Sequence, residues 1–149
     1  MTPTDFLHSV VAPNVEALES SVGDLRLAVN AFLTLDALAG VVHADRRGRG
    51  LEQGDDHAFR NRLAAQHLEY RILRDAAFAL KHGQLNASTR LVQRAQQVVA
   101  YSSAWDEAVW DRSHWDKPAL VWVEANDPAH SRLAYELARA VLNILQNIV

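Results

Sequence analysis

Between Asp55 and Gly83 the chain reads DDHAFRNRLAAQHLEYRILRDAAFALKHG, with a helical period from end to end. At about 100° per residue, Ala65, Leu68, Ile72, Leu73, Ala76, Ala79 and Leu80 fall on one broad face. Arg60, His67, Arg71, Arg74, Phe78 and Lys81 share an arc of roughly 80° on the opposite side. Asp55 or Asp56 can accept from the free amides of the first turn, and Gly83 stands where a helix leaves through a left-handed residue. An apolar arc of that width must be covered. The run therefore predicts one long central helix, its basic stripe in solvent and Asp75 bridging Arg71 and His82 along it.

A second apolar seam precedes it. Residues 1–13 read as an arm or short leading turn, and from Asn14 onward Val15, Leu18, Val22, Leu25, Val29 and Phe32 alternate in steps of three and four. Gly23 is costly inside such a helix and marks a kink. The next seam positions are Asp36 and Ala39, so a carboxylate stands where the pattern asks for a core residue. Either the helix bends and Asp36 reaches water, or it lies inside and pairs with a cation, because an unpaired buried carboxylate is too costly to keep. Arg71, Arg74 and His82 are the natural partners on the second helix. The seam should end between Gly40 and Ala44, followed by a glycine-rich charged loop whose Arg46, Arg47 and Arg49 face solvent or touch phosphates.

Beyond Gly83, Leu91, Val92, Ala95, Val98 and Val99 fit helical spacing, with Ser88 as a cap. Ala119 to Glu124, ALVWVE, is nevertheless a β-branched and aromatic run between Pro118 and the turn residues Asn126-Asp127-Pro128. A lone strand leaves its backbone unpaired, and Arg90 to Tyr101 is the neighbouring segment able to pair with it. A two-stranded hairpin is the expectation. The connection repeats Trp-Asp at 105–106, 110–111 and 115–116, either stapled onto the bundle or exposed as a contact surface. A last helix follows, with Asp127 as cap, Pro128 at its first position and the stripe Ala134, Leu137, Ala138, Val141, Leu145 and Ile148. The whole is a mainly α, antiparallel helical bundle of three to four long helices, with a small β-hairpin before the last one. It forms a single domain over residues 1–149.

The 149 residues are enough to bury a core without metal or disulfide. There is no cysteine, which removes thiolate chemistry, and the net charge of −3 gives no global field toward nucleic acid. Nowhere do 18 apolar residues run together, so no spanning helix is expected and the cytoplasm is the default location. Seven histidines are scattered without an i, i+4 pair, and Glu69 is followed at the third position by Ile72 rather than histidine. No metal site is expected. His43 with Asp45 and His114 with Asp116 read as polar surface pairs. Nucleophile elbow, phosphate loop and dinucleotide fingerprint are all lacking, so no cofactor is expected either.

The basic stripe retains chemistry. Arg60-Asn61 followed by His67 reads R-N-x5-H, placing arginine and histidine two turns apart on one face. In this the chain resembles the HEPN superfamily of helical bundles, whose R-x(4–6)-H motif serves metal-independent RNA cleavage in toxin and defence proteins. The run from Arg74 to His82, R-D-x-x-x-A-x-K-H, is similar to the helix end of uncharacterised bacterial bundle proteins distantly like HEPN domains. The resemblance covers the middle third of the chain. It implies that Arg60 steadies a scissile phosphate, that His67 moves a proton at a ribose hydroxyl, and that a homodimer unites two such helices. Arginine for phosphate and histidine for proton transfer suit that chemistry. Two functional readings follow. One is a non-catalytic binding or oligomerisation module, with Asp36, Arg71, Arg74, Lys81 and His82 as binding residues for a protein or small ligand. The other is a HEPN-like RNase or RNA-binding protein built on Arg60, Asn61 and His67.

Overall fold

The computed structural model describes residues 1–102 and 119–149; the Trp-Asp repeats and His114 lie outside the described residues. The fold is mainly α, with a small antiparallel sheet ahead of the last helix. Thr2 and Asp5 form a reciprocal capping box that starts α1 (Pro3–Phe6). The chain then passes through a π turn (Leu7–Val11) into α2 (Ala12–Ser20) without a break. Residues 3–13, expected within an arm or short leading turn, are thus helical. The wide turn lies just before Pro13, whose ring cannot share space with the carbonyl a normal turn earlier.

Asp24 caps α3 (Leu25–Gly48) by accepting from the amides of Arg26 and Leu27. The seam read as one kinked helix is therefore two, separated by a turn at Ser21–Asp24. The register also moves: Leu25 is exposed, and the buried face of α3 is Ala28, Ala31, Phe32, Leu35, Asp36, Leu38, Ala39, Val42 and His43. The helix outlasts its expected end and runs to Gly48. By length and composition α3 could cross a membrane. Here it is the centre of the bundle, packed against α1, α2, α4, α5 and α6.

The stretch predicted as one rod is also two helices, α4 (Asp56–Gln66) and α5 (Leu68–His82), broken at His67 with φ −133° and ψ 109°. A cross-joint hydrogen bond fixes the corner: Arg74 Nη1 donates to Asn61 Oδ1 at 2.8 Å. In a straight helix residues 61 and 74 would sit roughly 20 Å apart along the axis, far beyond an arginine's reach. No Gly or Pro marks the break. Ala65, assigned to the apolar arc, is exposed, while Ala64 and Leu63 are buried. Central position belongs to α3, not to this pair.

After Gly83, whose φ of 77° suits a residue without Cβ, the chain folds back over α5. Gly83, Leu85 and Gln84 bond to residues 93–95. Strand β1 (Val98–Tyr101) pairs antiparallel with β2 (Leu120–Val123), the expected hairpin, in the register Val98↔Val123 to Tyr101↔Leu120. A third strand, β3 (Arg132–Leu133), extends the sheet. Asp127 and Pro128 accordingly start a 3-10 turn (Pro128–His130) rather than the final helix. That helix, α6 (Ala134–Gln146), buries Ala134, Leu137, Ala138, Val141, Leu142 and Leu145, and Arg139 Nε donates to Glu19 Oε1 at 2.6 Å to tie it to α2.

The sheet is anchored to the bundle by backbone: Val121 N donates to Val22 O at 3.1 Å. Gly23 is required beside it, because a Cβ there would collide with the Ala119 carbonyl oxygen. Gly23→Ala should lower stability by about 1–3 kcal/mol, read from the urea midpoint, with the loss concentrated in amide exchange of β1 and β2.

Candidate functional site

Two fully buried carboxylates organise the polar interior of the described residues, Asp36 on α3 and Asp75 on α5. Asp36 Oδ2 accepts from Lys81 Nζ at 2.7 Å. Its Oδ1 pairs with Arg60 Nη1, which also donates to the Asp36 carbonyl at 2.7 Å. Arg60 Nε is held by Asp56 at 2.7 Å. Asp36 is therefore the buried, paired residue of the two alternatives, but its cations are Arg60 and Lys81, not Arg71, Arg74 or His82. The corner at His67 causes the exchange, since it turns Arg60 toward α3. Gly40, one turn after Asp36, makes room: a Cβ there would lie 2.6 Å from Arg60 Nη2. Burial opposes the Arg60 charge most strongly, but Asp36, Tyr70 and Asp56 together outweigh it and the guanidinium pKa is raised.

Asp75, expected on a solvated face between Arg71 and His82, bonds neither. Arg90 Nη1 donates to its Oδ1 at 2.6 Å and the Leu91 amide to its Oδ2 at 2.8 Å. Arg74 Nη2 lies 3.5 Å away. Arg90 is the site residue that sequence reasoning missed, because it comes from the segment folded back over α5. That segment is fixed at its far side: Gln97 Nε2 donates to Glu124 O at 2.6 Å, and Asn126 Nδ2 to Arg90 O at 3.1 Å. Arg90 also stacks 5.1 Å over the Phe78 ring. Periodicity carried no signal for it, since Arg90 belongs to neither a helix nor a strand.

A cavity of about 390 Å³ opens beside this cluster, lined by His57, Asn61, Ala64, Ala65, Arg71, Arg74, Ala87, Thr89 and Arg90. Arg71 donates to the Thr89 carbonyl at 2.9 Å. Arg74 is 7% exposed, with its Nε enclosed and without a hydrogen-bond partner. Burial pulls the Arg74 pKa below the usual arginine value, and nearby Arg90 adds to the effect while Asp75 opposes it. Among the described residues, three guanidiniums thus meet one carboxylate, whose oxygens are already occupied. Such an arrangement favours an anion.

The other residues singled out from the sequence are dispersed. Of the residues expected to act on a phosphate, the Arg60 side chain is 12% exposed and engaged by Asp36 and Asp56, while His67 caps the end of α4 at the helix corner. Asn61 orients Arg74. His82 is exposed in the last turn of α5, edge-on to Phe78 at 6.4 Å. His43, read as surface, is buried against Phe59 and hydrogen-bonds Gly54 O at 3.1 Å. Among the described residues no group of three or more His, Asp or Glu is placed to hold a metal ion.

Tyr70, fully buried, lies between the two clusters. Burial pushes its hydroxyl above the usual tyrosine value, with Asp36 adding to the shift and Arg60 and Arg74 opposing it. The folded chain thus keeps a proton that the unfolded chain loses near pH 10, so stability should fall as pH rises beyond that point. Tyr70→Phe should flatten this alkaline limb in a denaturation series from pH 8 to 11. Asp36→Ala leaves the buried Arg60 with the half-exposed Asp56 as its remaining carboxylate and should cost about 3–5 kcal/mol in chemical denaturation. Lys81→Met, at a 40% exposed side chain, should cost no more than about 1 kcal/mol.

No family model matches the chain, and no curated protein or solved structure matches it either.

Proposed function

We propose that this chain is a non-catalytic binding module that takes a small anionic ligand in the cavity between the α4–α5 corner and the segment folded over α5. The carrying observation is the charge balance there: among the described residues, Arg71, Arg74 and Arg90 stand against Asp75 alone. Burying a guanidinium without full compensation is unfavourable, and a bound anion relieves it. The volume lies within the range of small-molecule sites. A non-catalytic role is supported by Arg60, which is consumed by two structural ion pairs and so is withdrawn from any substrate phosphate.

Thermal unfolding in phosphate or sulfate against chloride at matched ionic strength tests this reading. At free anion 100-fold above Kd the wild type should gain about 2.7 kcal/mol, a rise in Tm of about 5–10 °C. Arg71→Gln, which removes a side chain held by a single bond to a backbone carbonyl, should fold normally and lose the gain. An equal response in both proteins would sink the site. Incubation with total RNA in EDTA supplies the opposing test, because cleavage that disappears in His67→Ala would establish a nuclease instead.

A further inference from the structure

Resting on the anion-site reading, we infer that the ligand is a phosphomonoester of a small aliphatic polyol, of the class of sugar phosphates. The charge count comes first. Among the described residues, three guanidiniums less one carboxylate leave two positive charges around the cavity, which a monoanionic carboxylate or phosphodiester neutralises only by half. A phosphomonoester carries about −1.5 to −2 at neutral pH and matches it. Geometry agrees, because Arg71 and Arg74 stand one helical turn apart on one face of α5 and Arg90 faces them from the overlying segment. Planar forks arriving from two sides suit the several oxygens of a terminal phosphate.

Size and lining define the rest of the molecule. A cavity of about 390 Å³ is more than a phosphate group alone requires. Its walls beyond the arginines are the methyl groups of Ala64, Ala65 and Ala87, with Asn61, Thr89 and His57 as polar groups. These suit hydroxyls on a short carbon chain. A nucleobase would want a broad aromatic face to stack on, and among the described residues lining the cavity the one ring is the small imidazole of His57. Phe78, the ring that Arg90 contacts, is already covered by Arg90 and Lys81.

Calorimetric titration with glycerol 3-phosphate, glucose 6-phosphate, inorganic phosphate, sulfate, dimethyl phosphate and adenosine monophosphate decides the matter. The polyol phosphates should bind at least about tenfold more tightly than sulfate or dimethyl phosphate. Arg71→Gln should lose at least about tenfold in that affinity. Ala65→Trp, at an exposed position on the cavity wall, should weaken glucose 6-phosphate while sparing inorganic phosphate, with far-ultraviolet circular dichroism as the check that it folds. Sulfate and phosphate binding equally, with no gain from the polyol, would overturn the phosphomonoester and leave the anion site standing. Adenosine monophosphate binding tightest would overturn the polyol. An absence of any anion binding would remove both readings together.

Discussion

The structure turns on a carboxylate in the middle of its central helix. Asp36 is enclosed on α3, and a single buried charge of that kind is strongly destabilising unless cations come to it. They come from two directions, Arg60 on α4 and Lys81 at the far end of α5. One residue thereby sets where both flanking helices must lie. Arg60 can arrive only if Gly40 leaves a gap on α3 and if the chain bends at His67. Bend, gap and ion pair are consequences of the same constraint, and the apolar packing of Leu35, Leu38, Ile72 and Leu73 proceeds around it.

Asp75 repeats the logic one helix away and with a different outcome. Its two oxygens are satisfied by Arg90 and the Leu91 amide, which pins the returning segment to α5. Arg74 is then left with a shared carboxylate, Asn61 and the Arg60 carbonyl. Charge supplied in excess of local demand, at the edge of a cavity, distinguishes the second cluster from the first. Asp36 and Asp56 together balance Arg60 and Lys81, so that cluster is structural; among the described residues the Asp75 cluster faces open volume with positive charge to spare. The proposed binding site rests on that contrast.

The same contrast bears on the HEPN resemblance. The spacing of Arg60 and His67 has meaning on a continuous helix, where two turns bring side chains to one face. That stretch of α4 stays helical up to its cap at His67, and the ion pairs of Arg60 give its guanidinium a packing role. Asn61, the polar residue of the motif, orients Arg74 across the corner.

Much was determined by local pattern. The 3.6-residue period identified the helical stretches, ALVWVE demanded a partner strand, and the apolar stripe of α6 was legible save for Leu142 and for Ile148, which lies past the helix end, because burial on one face leaves a direct signature. Asp36 stood out as a charge in a core position. What the sequence could not reveal was where helices divide and which cations answer which acids. The break at His67 carries no glycine or proline, and it goes with contacts between Arg60 and Asp36, 24 residues apart, and between Arg74 and Asn61, 13 apart. The segment bearing Arg90 was read for its apolar spacing, yet its fold-back is set by bonds to Asp75 and to the sheet. Periodicity reports which side of an element is buried; charge pairing between elements depends on long-range geometry, and in this protein only the tertiary structure decided it.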